Sequence, residues 1–266
     1  MRKMKTYAAM FCAMLAMGAL TVSCSSEDEA VQSAAEGEGL ISFDVTTETG
    51  FQSRAVNEAD YANINNYTVQ LLKDGEVQNE WKKNVLPVTT KVDPGTYQLK
   101  AFYGEDKAAS TTSMYVEGIG EAVVVTANQE EPAKLSVVCK PVCAKVLVEF
   151  DDEALDTYFS DYSVKFETKA LGSDSFTWKK NDTDPVYMKV DANESIKYTV
   201  TAKYKDTSIA DAVVSETYTL SPSDGLTLHI APEGDGELGI KITINEKTND
   251  IEQDIEVPSD WVTDKE

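Results

Sequence analysis

Cys24 is the residue of this chain with the best-defined chemistry. It follows a basic start (Arg2, Lys3, Lys5), a weakly apolar run over 7–22 and the small residues of LTVSC, and it is followed at once by SSEDEA. An apolar stretch closing on small residues and a cysteine is the lipobox arrangement, in which the Ser23–Cys24 bond is cut and the thiol is acylated. Thr21 stands where leucine is commonest in such boxes. An ordinary secretory signal with a chance cysteine is the competing reading. The run is too short and small-sided for a stable span, so residues 1–23 read as a cleaved signal peptide, and the lipid would leave the body anchored to a membrane rather than crossing it.

The other reactive side chains are few. With Cys12 in the signal, only Cys139 and Cys143 remain, as C-x3-C in CKPVC. That spacing fits neither a zinc pair nor the C-x-x-C redox motif. On a straight strand their α-carbons would stand roughly 13 Å apart, too far for a disulfide. Pro141 could bend the chain enough for a bridge, and two small buried or half-buried thiols is the favoured reading. His229, the single histidine, lies in the alternating run LTLHIAP, and one histidine cannot begin a zinc site. No G-x-S-x-G, H-E-x-x-H, Walker A or dinucleotide fingerprint is present. Gly118-Ile119-Gly120 precedes a strand, not a helix, and reads as a turn. Carboxylates are abundant, and a glycosidase needs only two across a cleft. Yet Asp151-Asp152-Glu153, Asp182, Asp184, Glu233, Asp235 and Glu237 read as turn and solvent-face residues, and their spacing fits no EF-hand loop. The expectation is a non-catalytic chain with no metal and no cofactor.

The surrounding elements read as strands. Short alternating runs recur about every ten residues, among them YTVQLL, TYQLKAFY, AKVLVEF, YSVKFE, IKYTVTAKY and GIKITI. Turn signals separate them at Asp74-Gly75, Asp93-Pro94-Gly95, Ser223-Asp224-Gly225 and Gly234-Asp235-Gly236. Strands with one apolar face must pack as two sheets. The chain also repeats itself. NYTVQLLKDGEV from Asn66 matches DYSVKFETKALG from Asp161, EWKKN (80–84) matches TWKKN (177–181), and TKVDPGTYQLKAFYGED matches MKVDANESIKYTVTAKYKD. The pairs Tyr67/Tyr162, Trp81/Trp178, Val92/Val190, Tyr97/Tyr198, Ala101/Ala202 and Tyr103/Tyr204 keep one order, with offsets drifting only from 95 to 101.

This predicts an all-β chain of two tandem, internally repeated β-sandwich domains (transthyretin/Ig-like) over 40–138 and 143–266, joined stiffly by CKPV. An acidic, small-sided flexible tether over 24–39 precedes them. The stripes Tyr97-Leu99-Ala101-Tyr103 and Tyr198-Val200-Ala202-Tyr204 read as core rather than as a sugar platform, and Trp81 and Trp178 as core caps. Without residues 1–23 the chain keeps 21 basic against 46 acidic residues, a net charge of −25. Nucleic acid and anionic lipid surfaces need a basic patch and are excluded as partners.

The lipobox with acids behind it, ISFDV (41–45), SRA (53–55), NYTVQL, GTYQLKAFYGE and the VCKPVCAKVLVEF crossover carry a resemblance. The chain resembles the fimbrillin-like surface lipoproteins of Bacteroides-type bacteria, and more closely an uncharacterised lipoprotein domain family from them, over nearly all of its mature length. The resemblance implies that Ser25, Ser26, Glu27, Asp28 and Glu29 form the signal sending such lipoproteins to the outer face of the outer membrane. It implies two transthyretin-like sandwiches. It also implies a maturation cut between Arg54 and Ala55, for which an ordinary loop arginine is the competing reading. Losing ISFDV would open a groove that accepts a strand from a neighbour, and DIEQDIEVPSDW (250–261) is either the last strand or a donated one. The implied role is a lipid-anchored surface protein of the outer membrane, structural or adhesive: a fimbrial (pilus) subunit or pilus-associated component that meets other pilus subunits by strand exchange. A monomeric module binding a host glycan or protein is the alternative.

Overall fold

The structure, a computed structural model, describes residues 37–49, 58–233, 239–245 and 252–255. Among them no helix is long and apolar enough to cross a membrane. The first half runs β1 (Gly39–Thr47), α1 (Glu58–Ala62), β2 (Thr68–Lys73), β3 (Glu76–Lys82), β4 (Thr89–Val92), β5 (Gly95–Gly104), β6 (Ala109–Ser110), β7 (Tyr115–Ile119), β8 (Val123–Val125) and β9 (Ala133–Pro141). Alternation decides which face is buried. On β5, Tyr97, Leu99 and Ala101 are buried while Gln98 and Lys100 are not; on β9, Leu135, Val137 and Cys139 are buried while Ser136, Val138 and Lys140 are exposed. Asp74 and Gly75 have φ of 53° and 87°, the left-handed pair that a two-residue type I′ hairpin needs between β2 and β3. A Cβ on Gly118 would come within 2.3 Å of the Val138 carbonyl oxygen. That glycine is the last residue but one of β7 and lets its backbone press against β9.

The second half runs β10 (Cys143–Phe150), α2 (Asp152–Tyr158), β11 (Phe159–Glu167), β12 (Phe176–Lys179), β13 (Val186–Lys189), β14 (Glu194–Tyr204), β15 (Ala212–Leu220), β16 (Gly225–Glu233), β17 (Gly239–Asn245) and β18 (Glu252–Ile255). Its pairing repeats that of the first half. β1 lies antiparallel to β4 and parallel to β9; β10 lies antiparallel to β13 and parallel to β16. β2 joins β3 to β5, and β11 joins β12 to β14. A short helix follows the first strand of each half. β18 pairs with β17 at the edge of the six-stranded sheet, so 252–255 form the last described strand.

Register corrects one detail of the sequence repeat. Val69 stands between Trp81 and Ala101, whereas Val164 stands between Trp178 and Val200. Ala101 therefore matches Val200 and not Ala202, and the third matched segment slips by two residues. A slip of two keeps every side chain on its own face, which is why the sequence pattern could not reveal it.

Buried side chains form two clusters. One is built from Ile41, Tyr67, Val69, Leu71, Leu99, Leu135 and their neighbours; the other from Val146, Phe159, Tyr162, Val164, Trp178, Tyr198, Leu228 and theirs. The chain is stitched between them. β6 pairs with β13 at Ser110–Tyr187 and Ala109–Met188, Tyr187 is buried in the first cluster, and Ala109 packs on the second. Lys189 Nζ reaches Asp106 Oδ1 at 2.7 Å across the same seam.

Cys139 and Cys143 are free and buried. Burial pushes Cys139 up from 9.0 to about 12 and Cys143 up to about 11. Both thiols are expected to resist alkylation at pH 8 in the folded protein and to react in denaturant, as counted by mass. The sign of the pH effect follows. The folded thiols keep their protons above the pH where unfolded thiols lose them, so their contribution is fully present below pH 9 and is lost as pH rises towards 11–12. Tyr67, pushed by burial to about 12, acts in the same direction. Urea midpoints should fall steadily above pH 9; a flat profile to pH 11 would contradict this reading.

Candidate exchange strand and its groove

β1 fills a slot between two strands. It makes a seven-pair parallel ladder with β9, from Ile41–Ala133 to Thr47–Cys139, and a four-pair antiparallel ladder with β4, from Gly39–Val92 to Ser42–Thr89. Every second residue points into the first core. Ile41 is fully buried, Val45 nearly so, and Phe43 packs against the same cluster, with its ring centroid 5.6 Å from that of Trp81. Leu40, on the opposite face, is also buried.

Polar contacts close both ends. At the start, Asn128 donates its backbone N–H to the Glu38 carbonyl at 2.8 Å, and the Gln129 side chain donates to the Leu40 carbonyl. At the end, Glu48 N–H donates to the Cys139 carbonyl at 2.8 Å. The Thr47 hydroxyl meets the Tyr67 hydroxyl at 2.9 Å, and Tyr67 donates to the Tyr61 carbonyl of α1 at 2.8 Å. Asp44 and Glu48 pair with Lys134 and Lys140 of β9 at 2.7 and 2.8 Å, in exposed positions worth little stability.

β10 occupies the equivalent slot of the second half but is continuous with β9 through Val142. β1 differs: its covalent route to the rest of the described fold is the segment 50–57. Arg54 and Ala55 lie in that segment, outside the described residues, as do Ser23, Cys24, Ser25, Ser26, Glu27, Asp28 and Glu29. What the structure supplies is the strand on the N-terminal side of the expected cut and the slot that holds it. Removing β1 would leave β4 and β9 with facing rows of unpaired backbone groups above an apolar floor. That arrangement accepts an incoming strand.

The remaining candidates fall elsewhere. His229 Nδ1 lies 2.9 Å from Glu149 Oε2 across the β10–β16 pair, a strand-to-strand contact on a half-buried imidazole. Asp151-Asp152-Glu153, expected in a turn, instead opens α2. Asp151 Oδ1 caps it by accepting from Ala154 N–H at 3.1 Å, and Asp152 and Glu153 sit in the first turn, where the helix dipole favours acids. Tyr162 donates to Asp152 and Asp156 and so ties α2 to β11. Tyr67 does the same for α1, which makes this tyrosine pair of the repeat a shared helix anchor. Asp182 accepts from the Lys179 backbone N–H at 2.8 Å, and its carbonyl accepts from Trp178 Nε1 at 3.1 Å. Among the described residues no three metal-ligating side chains converge.

An all-β chain of mainly antiparallel sheets, two of them with one parallel pair, and with a separately inserted first strand is the class of protein this geometry defines. It matches the DUF4493 family, a domain of unknown function, over residues 37–259, and belongs to that family. No curated protein sequence matches it. Among solved structures it is similar to a fimbrial assembly protein from Parabacteroides distasonis, at 13% identity and a TM-score of 0.46 over 83% of this chain and 100% of that one. It is also similar to the fimbrial anchor protein Mfa2 from Porphyromonas gingivalis, at 9% identity and a TM-score of 0.46 over 80% of this chain and 98% of that one.

Proposed function

We propose that this protein is a cell-surface lipoprotein of the outer membrane, held through acylated Cys24, that serves as a structural or adhesive component of a pilus, as a subunit or an associated part. The carrying observation is β1: a strand with a core-facing stripe, inserted between β4 and β9, whose link to the rest of the described fold is the segment holding Arg54. A cut at Arg54–Ala55 would leave β1 held by non-covalent contacts alone, and a strand from another subunit could then take its place. The role is non-catalytic. The two-domain division at 40–138 and 143–266 belongs to the same proposal, and the two core clusters and the repeated pairing support it.

The test is the N-terminus of the native protein recovered from outer membranes, by intact mass and terminal sequencing. A chain starting at Ala55 is the result expected of an exchanging subunit, for which Cys24 would anchor only the precursor and leave with the cut segment. An acylated Cys24 with ISFDV retained is the result expected of an anchored, closed component. An unmodified N-terminus at some other position would overturn the anchor assignment.

A further inference from the structure

The joint between the two halves is built from an edge and an arm, and the chain carries both of these twice. PVTTKVD (87–93) and PVYMKVD (185–191) are copies of one segment. Register agrees, since β4 and β13 each lie antiparallel to the strand filling the slot of their half, β1 and β10. On its other side β13 is covered by β6. Lys189 donates its backbone N–H to the Ala108 carbonyl at 2.9 Å, and its Nζ pairs with Asp106. Among the described residues β4 has no such cover and ends the strand order of its sheet. Exposure records the difference. Val186 is fully buried, whereas the matching Val88 is 58% exposed. Lys91, the match of Lys189, has Glu38 as a distant partner at 3.9 Å.

The arms differ in the same way. In the first half the arm is 105–114, between β5 and β7; it carries β6, which is half-buried against the second half. In the second half the arm is 205–211, between β14 and β15, and every residue of it is exposed. It includes the large apolar Ile209, 46% exposed, whose N–H closes a turn on the Asp206 carbonyl at 3.1 Å.

We infer that the bare edge of β4 takes the arm 205–211 of a second copy of this chain, head to tail, as β13 takes β6 within one chain. An uncovered edge offers backbone donors and acceptors to an incoming segment. Ile209 of the arriving arm would cover Val88, and Asp206 would meet Lys91 as Asp106 meets Lys189. The occupant is a second copy because edge and arm both lie on this chain, both match the parts of a joint already formed, and both are exposed. Pairing two β4 edges symmetrically would instead put two Lys91 side chains into one short ladder, where like charges repel. Edge and arm are different surfaces, so the contact is heterologous and each added copy leaves one of each free. A ladder this short belongs to the weak class of contacts, suited to copies held close together. The inference goes beyond strand exchange: β1 stays in its slot, and the contact forms on the far side of β4.

Disulfide trapping tests it on the chain from residue 24 onward carrying Cys24→Ser, with β1 in place, at physiological salt where the net negative charge is screened. Cys139 and Cys143 are buried and stay silent. Under mild oxidation a mixture of Val88→Cys and Ile209→Cys chains should form a linked dimer several times faster than either chain alone. Adding Lys91→Glu to the Val88→Cys chain should slow trapping about fivefold, the upper end for an exposed ion pair. Adding Asp206→Lys to the Ile209→Cys chain should then restore it. All four positions are exposed, so each variant should keep the urea midpoint of the parent chain. No gain in the mixture over the separate chains would overturn the inference. Faster trapping of Val88→Cys with itself would assign β4 to a symmetric pair and overturn it too, as would a charge swap that fails to restore the rate.

Discussion

A chain beginning at Ala55 should fail to hold its native fold alone and should regain it when a peptide spanning residues 38–49 is supplied. β1 places Leu40, Ile41 and Val45 in buried positions and Phe43 against the core. At roughly 1.5–3 kcal/mol for each fully buried side chain, and less for Phe43, its loss removes about 5–10 kcal/mol. Two ladders go with it. Whole domains are stable by only about 5–15 kcal/mol, so the first half should open while the second, with its own core, keeps most of its structure. Amide exchange reads this directly. β4 and β9 should lose protection in the truncated chain and recover it with the peptide, while β11 and β14 change little. A peptide carrying Ile41→Ser, Phe43→Ser and Val45→Ser keeps the backbone donors and acceptors but not the apolar stripe, and should not rescue. Equal protection in truncated and intact chains would show that β1 contributes nothing structural, and the exchange proposal would fall with it.

How far the sequence foretold this arrangement depends on the length scale of each signal. GTYQLKAFYGE was readable because one face of β5 is buried along its length, so period two is written in its residues. Asp74-Gly75 was readable because a type I′ turn needs two left-handed residues. The helices were not. α1 spans five residues and α2 seven, too short for a 3.6-residue period to show, and the acids opening α2 look the same as a solvated turn. The cap pattern of Asp151 followed by Asp152 and Glu153 was the one available clue. β6 was unreadable for another reason: an Ala-Ser pair carries no pattern, and its partner β13 lies in the other half of the chain. The slot of β1 was only half legible. Its alternation is local, but a parallel partner as distant as β9 is chosen by the assembled core, which no window of sequence contains.

The two WKKN copies allow a second large effect to be separated from a small one, although their residues are identical. Trp178 is completely buried, opposite Val164 in the ladder, with its indole N–H bonded to the Asp182 carbonyl. Trp178→Ala should therefore cost about 3–5 kcal/mol, through a cavity in the second core and an acceptor left unpaired. Trp81 is half-buried and leans on Phe43 of β1. Trp81→Ala should cost only about 1–2 kcal/mol, and that cost should depend on β1 being present. In a double-mutant cycle on urea midpoints, Trp81→Ala and Phe43→Ala should couple by about 0.5–1.5 kcal/mol, as a ring pair does. Trp178→Ala and Phe43→Ala, sited in different cores, should simply add. Equal costs for the two tryptophans, or coupling of Phe43 to Trp178, would mean that the cores are not independent. Additivity within the first pair would remove Trp81 from the β1 slot. With the expected asymmetry, one copy of the motif closes the second core and the other lines the slot of the strand proposed to exchange.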